Sequence, residues 1–314
     1  MQQTVGIIGT GWVGTSVAMS TLHSGAADAL WLHDVRGAVA EGEAMDLAHG
    51  AAFYPRCAVQ VASVEAMRAC QVVVVAAGRN GKPGESRLDL LRDNARVVAD
   101  IGRTLAGFDG TIVLVSNPVD VLTQVMTTAS GLPPARVLGT GTLLDTSRLR
   151  QMLGQRLQLA TNSIHAQVVG EHGDSEVVLW SGAQVGGVPL RSWPGWTPAD
   201  EAALALEVRR AAYEVIARKG ATNHAIGLVT AHLLRCMLRG ERRVLTVSRV
   251  QQGAFGLHGV ALSLPTVVGH DGGATVLQPG LDAAELAALQ HSADVLQQAR
   301  ATLSGPPIDS RSPR

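Results

Sequence analysis

The stretch that decides the fold is VGIIGTGWVGTSVAM, which runs from Val5 to Met19. A short apolar run leads into Gly9, Gly11 and Gly14 in a G-x-G-x-x-G spacing, and a helix-like segment follows. Glycines at these positions allow a tight turn and let a pyrophosphate approach the backbone N–H groups at a helix N-terminus. The stretch therefore predicts a strand, a phosphate-binding turn and a helix.

An acidic residue completes this nucleotide-binding pattern. Asp34 ends the segment LWLHD and stands 20 residues after Gly14. A carboxylate at the end of the second strand can accept hydrogen bonds from a ribose and repels a 2′-phosphate. The sequence therefore predicts NAD rather than NADP as the cofactor, although the neighbouring Arg36 could accept a phosphate and keeps the second cofactor open.

The first 140 or so residues alternate apolar runs with helix-like segments. Strands are predicted at Val5–Ile8, Leu30–His33, Val72–Ala76, Ile112–Val115 and Val137–Gly139, and helices at Val13–His23, Ala38–His49 and Arg87–Leu105. Continuously apolar strands are typical of a parallel sheet that is covered on both faces. The alternation predicts an α/β fold, with a Rossmann-type doubly wound parallel sheet.

The pattern changes after Gly141 and predicts a mixed α/β substrate domain. We expect a helix at Asp145–Arg156, paired strands near Ile164–Val169 and Val177–Gly182, helices at Pro198–Lys219 and His224–Leu238, strands near Arg243–Val250 and Val260–Leu264, and a last helix at Ala283–Leu303. Two domains are predicted: a nucleotide-binding domain at residues 1–141 and a substrate domain at residues 142–304. Residues 305–314 are rich in Pro and Ser and are predicted to be a disordered tail.

Composition narrows the class of protein. The formal net charge of zero gives no indication of a nucleic acid or an acidic membrane as partner. The sequence has no apolar run of about 18 residues, which a membrane span needs, and no signal-peptide pattern. Its three cysteines are odd in number and are not spaced as metal pairs. We therefore expect reduced thiols, no metal site and a cytoplasmic location.

Four further stretches carry polar residues that the packing of a hydrophobic core does not explain. VSNPVD contains Asn117, GTGTLLDTSRLR contains Asp145 and Arg148, VVGEHGDSEV contains His172, and RKGATNHAIGL contains Thr222. Taken singly, such residues also serve as helix caps, turn residues or ordinary structural side chains.

Together these stretches resemble the L-lactate and malate dehydrogenase family. The resemblance covers nearly the whole chain, through GIIGTGWVG, EGEAMDL, GKPGESRLDLL, SNPVD, GTLLDTSRLR, GEHGDSEV, KGAT and LSLPTVVG. GESRLDL and GEHGDSEVVLWSGAQVGGVPL are most similar to the bacterial L-lactate dehydrogenase branch. The resemblance implies a glycolytic, NAD-dependent enzyme that interconverts L-lactate and pyruvate and assembles as a homodimer or homotetramer.

The resemblance also implies roles for four residues near the reaction. His172 would give and take the proton, because an imidazole titrates near neutral pH, and Asp145 would hold its other ring nitrogen. Arg148 would bind the substrate carboxylate through its planar fork. Arg87 would reach the carbonyl oxygen when a loop closes and stabilise the developing charge there. The plain alternatives are a helix cap for Asp145 and a solvated helix-start arginine for Arg87.

The resemblance also implies binding roles for four other positions. Asn117 would orient the carbonyl and the nicotinamide ribose region, and Thr222 would line the pocket near the substrate side chain. Arg150 and His165 fall where some bacterial lactate dehydrogenases hold fructose 1,6-bisphosphate at a subunit interface, and both side chains suit a phosphate. Interface or surface packing is the alternative for this second pair.

The sequence departs from the family at Gly81, which aligns with the position that discriminates between substrates. Lactate dehydrogenases usually have Gln there and malate dehydrogenases Arg, so malate or a bulkier 2-hydroxy acid stays open as the substrate. Arg79 and Lys82 flank the position, and His224 stands where an aromatic residue is common. Because a wall of the pocket is lost, we predict a higher KM for pyruvate than in a Gln-bearing relative. The alternative from another class is a non-catalytic NAD-binding homologue.

Overall fold

The computed structural model describes residues 2–79 and 87–303, and of Arg87 it describes the backbone only. Gly81, Lys82, the Arg87 side chain and the predicted tail at 305–314 lie outside the described residues. Within the described helices, none combines the length and apolar character that crossing a membrane requires.

The described helices and strands follow one another along the whole chain. The helices are α1 (Trp12–Ser24), α2 (Gly37–His49), α3 (Arg87–Thr104), α4 (Val119–Ser130), α5 (Leu143–Leu157), α6 (Pro198–Lys219), α7 (His224–Arg239) and α8 (Ala283–Ala301). The strands are β1 (Thr4–Ile8), β2 (Ala29–His33), β3 (Ala58–Val61), β4 (Val72–Val75), β5 (Thr111–Leu114), β6 (Val137–Gly139), β7 (Ile164–His165), β8 (Val168–Val169), β9 (Val177–Val178), β10 (Gln184–Val185), β11 (Val188–Pro189), β12 (Arg243–Gln252), β13 (His258–Gly269) and β14 (Gly272–Val276).

Nine of the described strands form one sheet, in the order β14-β13-β12-β6-β5-β4-β1-β2-β3. The six strands from β1 to β6 pair in parallel, in the 3-2-1-4-5-6 order of a doubly wound nucleotide-binding fold. The predicted fold class is thereby confirmed, and each predicted parallel strand lies within one residue of its observed bounds. Four consecutive valines make β4 fully buried, as expected for a strand covered on both faces.

The sheet continues beyond the parallel part through antiparallel pairing. β12 joins β6 where Ser248 faces Gly139, and β13 and β14 extend the edge. The sheet therefore runs across residue 141, where the sequence predicts a domain boundary, and that boundary stays a prediction.

The predicted strand pair after α5 is interrupted in the structure. β7 pairs with β10, whereas β8 pairs with β9. Side chains of α5 bond the backbone between β7 and β8: Arg150 Nε donates to the Ala166 carbonyl at 3.0 Å, and the Val168 N–H donates to Thr146 Oγ1 at 3.0 Å. Because these groups bond a helix instead of a neighbouring strand, a continuous ladder cannot form.

The parallel topology places several loops on one edge of the sheet. The loops after β1, β4, β5 and β6 leave the carboxyl ends of adjacent strands, and the strand order reverses between β1 and β4. Ligands of open α/β sheets bind in the crevice at such a reversal.

Candidate active site

The glycine turn has the geometry that close approach of a ligand needs. Gly9 has a positive φ of 95°, and a side chain there would meet the backbone of Ala77. A Cβ on Gly14 would collide with the Gly9 carbonyl oxygen, so the turn and α1 pack closely. At Gly11, the first residue before α1, no described atom lies within 4 Å of an added Cβ. The backbone at the helix N-terminus is therefore open to a phosphate.

Asp34 is held beside this turn at the end of β2. Its Oδ2 atom accepts a hydrogen bond from the Thr10 N–H at 3.0 Å, and its Oδ1 atom accepts one from the Arg36 N–H at 3.0 Å. Burial alone would raise the pKa of Asp34, but the hydrogen bonds from Arg36 and Thr10 outweigh it and lower the pKa. The carboxylate is therefore charged at neutral pH, and lone pairs remain for a ribose hydroxyl.

A cavity of about 650 Å³ extends from the glycine turn to several of the predicted catalytic and substrate-binding residues. Its lining includes Gly11, Asn117, Arg148, His172 and Thr222. These residues come from the loops after β1 and β5, from α5, from the β8–β9 loop and from the α6–α7 connection. The tertiary structure thus brings five of the predicted site residues to one cavity.

His172 and Asp145 form a close pair at the bottom of the site. His172 Nδ1 lies 2.5 Å from Asp145 Oδ2, and Asp145, in the first turn of α5, is buried. The imidazole keeps 23% of its side-chain surface exposed and lines the cavity. Asp145 is therefore shielded from solvent, whereas part of the His172 ring is accessible to a ligand in the cavity.

The charges around the imidazole favour its protonated form. Burial alone would lower the pKa of His172, but the charge and hydrogen bond of Asp145 and the charge of Asp120 outweigh it and raise the pKa to about 9. For Asp145, burial opposes ionisation, yet the charges and hydrogen bonds of His172 and Arg148 hold its pKa below the ordinary value. Each partner thus stabilises the ionised form of the other.

Arg148 bonds the other oxygen of the same carboxylate. Its Nη1 atom donates to Asp145 Oδ1 at 2.8 Å, three residues back on α5. The bond uses one of the guanidinium nitrogens, and the side chain lines the cavity beside His172. A guanidinium held in this way can present its remaining N–H groups to a carboxylate.

Two buried acids near His172 were not predicted from the sequence. Asp120 Oδ2 accepts a hydrogen bond from the His172 backbone N–H at 2.7 Å. Glu176 is 7% exposed, and its Oε1 atom has no hydrogen-bond partner in the described part of the chain. Burial, together with the Asp145 charge, raises the pKa of Glu176 to about 8. Both acids stand inside motifs that carry predicted site residues, VSNPVD and GEHGDSEV, and this position is the signal that could have identified them.

Glu176 and Arg209 line a second cavity of about 400 Å³, which also reaches His172 and Arg148. Leu90 and Ile216 line this cavity too. The side of the site away from the glycine turn therefore carries both charged and apolar side chains.

The guanidinium group of Arg79 is hydrogen-bonded to Asp93. Its Nε and Nη2 atoms donate to Asp93 Oδ2 at 3.1 and 2.6 Å, and its backbone N–H donates to Asn94 Oδ1. Two of the three guanidinium nitrogens of Arg79 are thus bonded to Asp93.

Arg150 and His165 line a third cavity, of about 460 Å³, away from the glycine turn. His232 and Arg243 contribute to the same lining. Among the described residues of this lining none is acidic, although Arg243 bonds Glu241 at 2.9 Å from outside it. The tertiary structure therefore brings both predicted phosphate-binding residues to one basic cavity.

The glycine turn and His172 line one cavity, and the doubly wound sheet with this turn defines a class: α/β proteins that bind a dinucleotide. Comparison with known proteins identifies the family within that class. Residues 3–139 match the lactate/malate dehydrogenase NAD binding domain, and residues 142–303 match the lactate/malate dehydrogenase alpha/beta C-terminal domain. The chain belongs to the lactate/malate dehydrogenase family, and the resemblance found in the sequence is confirmed.

Three similar proteins are bacterial L-lactate dehydrogenases. The chain is 43% identical over 295 residues to an L-lactate dehydrogenase of Synechococcus sp. (strain JA-3-3Ab), covering 93% of this chain and 96% of the relative. It is 43% identical over 306 residues to an L-lactate dehydrogenase of Thermus aquaticus, covering 95% and 99%. The crystal structure of a minor L-lactate dehydrogenase from Enterococcus mundtii superposes with a TM-score of 0.94 at 38% identity, covering 96% of this chain and 98% of that one.

The described residues offer no evident metal centre. Within 2–79 and 87–303, no group of three or more His, Cys, Asp or Glu side chains is arranged to hold a metal ion.

Proposed function

We propose that this chain is an NAD-dependent L-lactate dehydrogenase, which catalyses reversible hydride transfer between L-lactate and pyruvate. One observation carries the proposal: Asp145 bonds His172 through one oxygen and Arg148 through the other, on a cavity shared with the glycine turn. This arrangement would hold a proton carrier and a carboxylate-binding cation side by side next to the nucleotide site. Membership in the lactate/malate dehydrogenase family supports the same reaction.

The residues present fit NAD. Gly9, Gly11 and Gly14 leave the N-terminus of α1 open to a pyrophosphate, and Asp34 would accept hydrogen bonds from the adenine-side ribose. Bound NADH supplies the hydride for reduction, and bound NAD accepts it for oxidation.

His172 would handle the proton. Because Asp145 bonds Nδ1, the opposite ring nitrogen, Nε2, carries the proton that goes to the pyruvate oxygen as the carbonyl becomes a hydroxyl. In lactate oxidation the same nitrogen takes the proton back. Asp145 would stabilise the imidazolium and keep the ring oriented without becoming protonated itself.

Other residues would place the substrate. Arg148 would bind its carboxylate, Asn117 would orient its carbonyl and the nicotinamide ribose region, and Thr222 would contact its side chain. Arg87, whose side chain lies outside the described residues, would stabilise the charge that develops on the carbonyl oxygen.

The experiment follows NADH absorbance with a panel of 2-oxo acids that contains pyruvate, oxaloacetate and longer monocarboxylates. Pyruvate is expected to give the highest kcat/KM. A preference for oxaloacetate would contradict the lactate assignment, and turnover of none of the acids would favour a non-catalytic NAD-binding protein.

The pH dependence follows from the raised pKa of His172. With a pKa of about 9, the imidazole is protonated at neutral pH. Pyruvate reduction consumes this proton, so kcat/KM is expected to be level through neutral pH and to fall about tenfold per unit above the pKa. Lactate oxidation needs the neutral imidazole and should rise toward the same pH. Initial rates between weakly acidic and alkaline pH measure both limbs, and transitions near the ordinary histidine value of 6.5 would contradict the assignment.

Replacing Asp34 is expected to change the cofactor preference. In Asp34→Ser the repulsion of a 2′-phosphate is lost, and the exposed Arg36 next to it can bind that phosphate. The ratio of kcat/KM for NADPH to that for NADH should rise by about 10-fold or more, since one charged contact is involved. Asp28→Ser is the matched control and should leave the ratio unchanged. Asp28 Oδ2 accepts the Gln3 N–H at the beginning of β1 and β2, the end of these strands that lies opposite Asp34.

Malate and bulkier 2-hydroxy acids are the rival substrates. The Arg79–Asp93 bond counts against oxaloacetate, which would need a second carboxylate-binding cation. Gly81 would widen the pocket for longer acids. Gly81→Gln and Gly81→Arg, measured with the same panel, are expected to move the preference toward pyruvate and oxaloacetate respectively. An unchanged preference in both variants would show that Gly81 does not occupy the discriminating position.

A second proposed function is regulation by fructose 1,6-bisphosphate at the 460 Å³ cavity. Its support is the meeting of Arg150 and His165 with His232 and Arg243. The bisphosphate is expected to lower the KM for pyruvate in the unaltered enzyme and to have no effect in Arg150→Gln. An unchanged KM and unchanged oligomer size in the unaltered enzyme would contradict regulation.

Assembly and location complete the proposal. We expect a homodimer or homotetramer in the cytoplasm, and light scattering of the purified protein measures the oligomer size.

A further inference from the structure

Asp120 is a buried carboxyl group that touches His172 through the main chain. It lies in the first turn of α4, three residues after Asn117, and is 2% exposed. Its Oδ2 atom accepts the hydrogen bond from the His172 backbone N–H at 2.7 Å. None of the roles proposed above uses this carboxyl group.

Two carboxylates therefore hold His172 from two different helices. Asp145 on α5 bonds the ring, and Asp120 on α4 bonds the backbone of the β8–β9 loop. Asn117 leads directly into α4, so the same contact links the position of His172 to that of Asn117. Positions of reacting groups matter at this scale, because a misplacement of about 1 Å costs on the order of 10²-fold in rate.

Asp120 also contributes charge. Its Oδ1 atom has no hydrogen-bond partner among the described residues. Burial raises its pKa to about 6, although Ser248 and His172 oppose the shift, so the carboxyl group is ionised at neutral pH. Its charge acts on His172 in the same direction as that of Asp145.

We propose that Asp120 is a positioning residue for proton transfer: it fixes the main chain of His172 relative to Asn117, and its negative charge favours the protonated imidazole. The role depends on the proposed function of His172. Asp120 is buried and is not in the lining of either cavity that His172 lines, so it acts through His172.

Other titratable or cationic groups lie around His172. Asp145 and Arg148 on α5 and Glu176 on its own loop act on it electrostatically, Asp174 on that loop and Arg209 and Tyr213 on α6 line a cavity with it, and Glu171 precedes it in the chain. Arg148 opposes protonation of the imidazole, whereas Asp145 favours it. All of them are retained when Asp120 alone is replaced, so a change in the titration of His172 reports the effect of Asp120.

The first test is Asp120→Asn in the full-length chain. Asn retains an oxygen that can accept the His172 N–H but removes the charge. Ring-proton NMR, with the His172 signal identified by its loss in His172→Gln, is expected to show titration of the imidazole about one pH unit lower. The high-pH limb of kcat/KM for pyruvate should move down with it.

The second test is Asp120→Ala, which also removes the acceptor. The His172 N–H then has no partner there, so kcat is expected to fall by about 10²-fold while the KM for pyruvate changes little. Thr123→Val is the matched control, because Thr123 Oγ1 bonds the Val119 carbonyl within the same buried helix at 2.7 Å. The control is expected to lower thermal stability without moving either the pH limb or the His172 titration.

Two results would overturn the role. A His172 titration at the original pH in Asp120→Asn would contradict the charge effect, and an unchanged kcat in Asp120→Ala would contradict the positioning effect. If Asp120→Ala does not fold, Asp120→Asn decides: an original pH limb and titration overturn the role. Failure of the proposed function is distinguishable, because the unaltered chain would then reduce no 2-oxo acid, whereas the NMR titration would still measure the charge effect.

Discussion

Replacement of His172 by Gln is expected to reduce kcat for pyruvate reduction by about 10²- to 10⁴-fold, the usual contribution of a positioned acid or base. Gln can occupy a similar volume but cannot release a proton to the substrate oxygen. Binding of NADH should be unchanged, because the glycine turn and Asp34 are separate from the β8–β9 loop. Steady-state rates and NADH fluorescence titration measure the two quantities.

The control for this substitution is His291→Gln. His291 is exposed on α8, and its replacement should leave both kcat and NADH affinity unaltered. Near-normal kcat in His172→Gln would show that another group supplies the proton, and Glu176, which lines the same side of the site, would be the first residue to examine.

Replacement of Arg148 by Lys is expected to raise the KM for pyruvate by about 10²- to 10³-fold. Lysine keeps the charge but lacks the planar fork, and hydrogen bonds to a charged group contribute about 1.5–3 kcal/mol each. The loss should fall mainly on KM, because the carboxylate is bound in both the ground state and the transition state. Initial rates over a range of pyruvate concentrations separate KM from kcat.

Arg156→Lys is the matched control, since Arg156 lies on the same helix and bonds Asp200 at the surface. It should leave the KM for pyruvate unchanged. A KM that rises no more in Arg148→Lys than in Arg156→Lys would mean that the substrate carboxylate binds elsewhere.

The two predictions are coupled through Asp145. This buried carboxylate accepts hydrogen bonds from both side chains, so the loss of either bond leaves one of its oxygens less well satisfied in a poorly solvated place. Effects of His172→Gln and Arg148→Lys on catalysis and on stability should therefore not be additive. A double variant that showed simple additivity would indicate that Asp145 does not couple them.

Helix α4 illustrates a limit of prediction from local sequence. Its segment VDVLTQVMTTAS is rich in β-branched residues, which favour strands, and its local pattern predicts no helix. In the structure eight of its twelve residues are buried: Val119, Leu122 and Met126 pack into one apolar cluster and Val121 into another. Tertiary packing on more than one side of the helix outweighs the small differences in local propensity.

The sequence by itself determined the glycine turn, five of the six parallel strands and the acid at the end of β2, but not the largely exposed edge strand β3. These features depend on backbone sterics and on periodic burial within a few residues, which are local properties of the chain. The positions of Gly9, Gly14 and Asp34 in the structure match that reading.

Only the tertiary structure decided which residues of the candidate active site contact one another. Asp145 and His172 are 27 residues apart, and Asp120 is 52 residues from His172, yet each pair is in hydrogen-bond contact. The burial of Glu176 and the bond between Arg79 and Asp93 are equally invisible in sequence spacing. Such contacts depend on which loops the sheet order brings to one edge, and pKa shifts depend on the burial and charge that result.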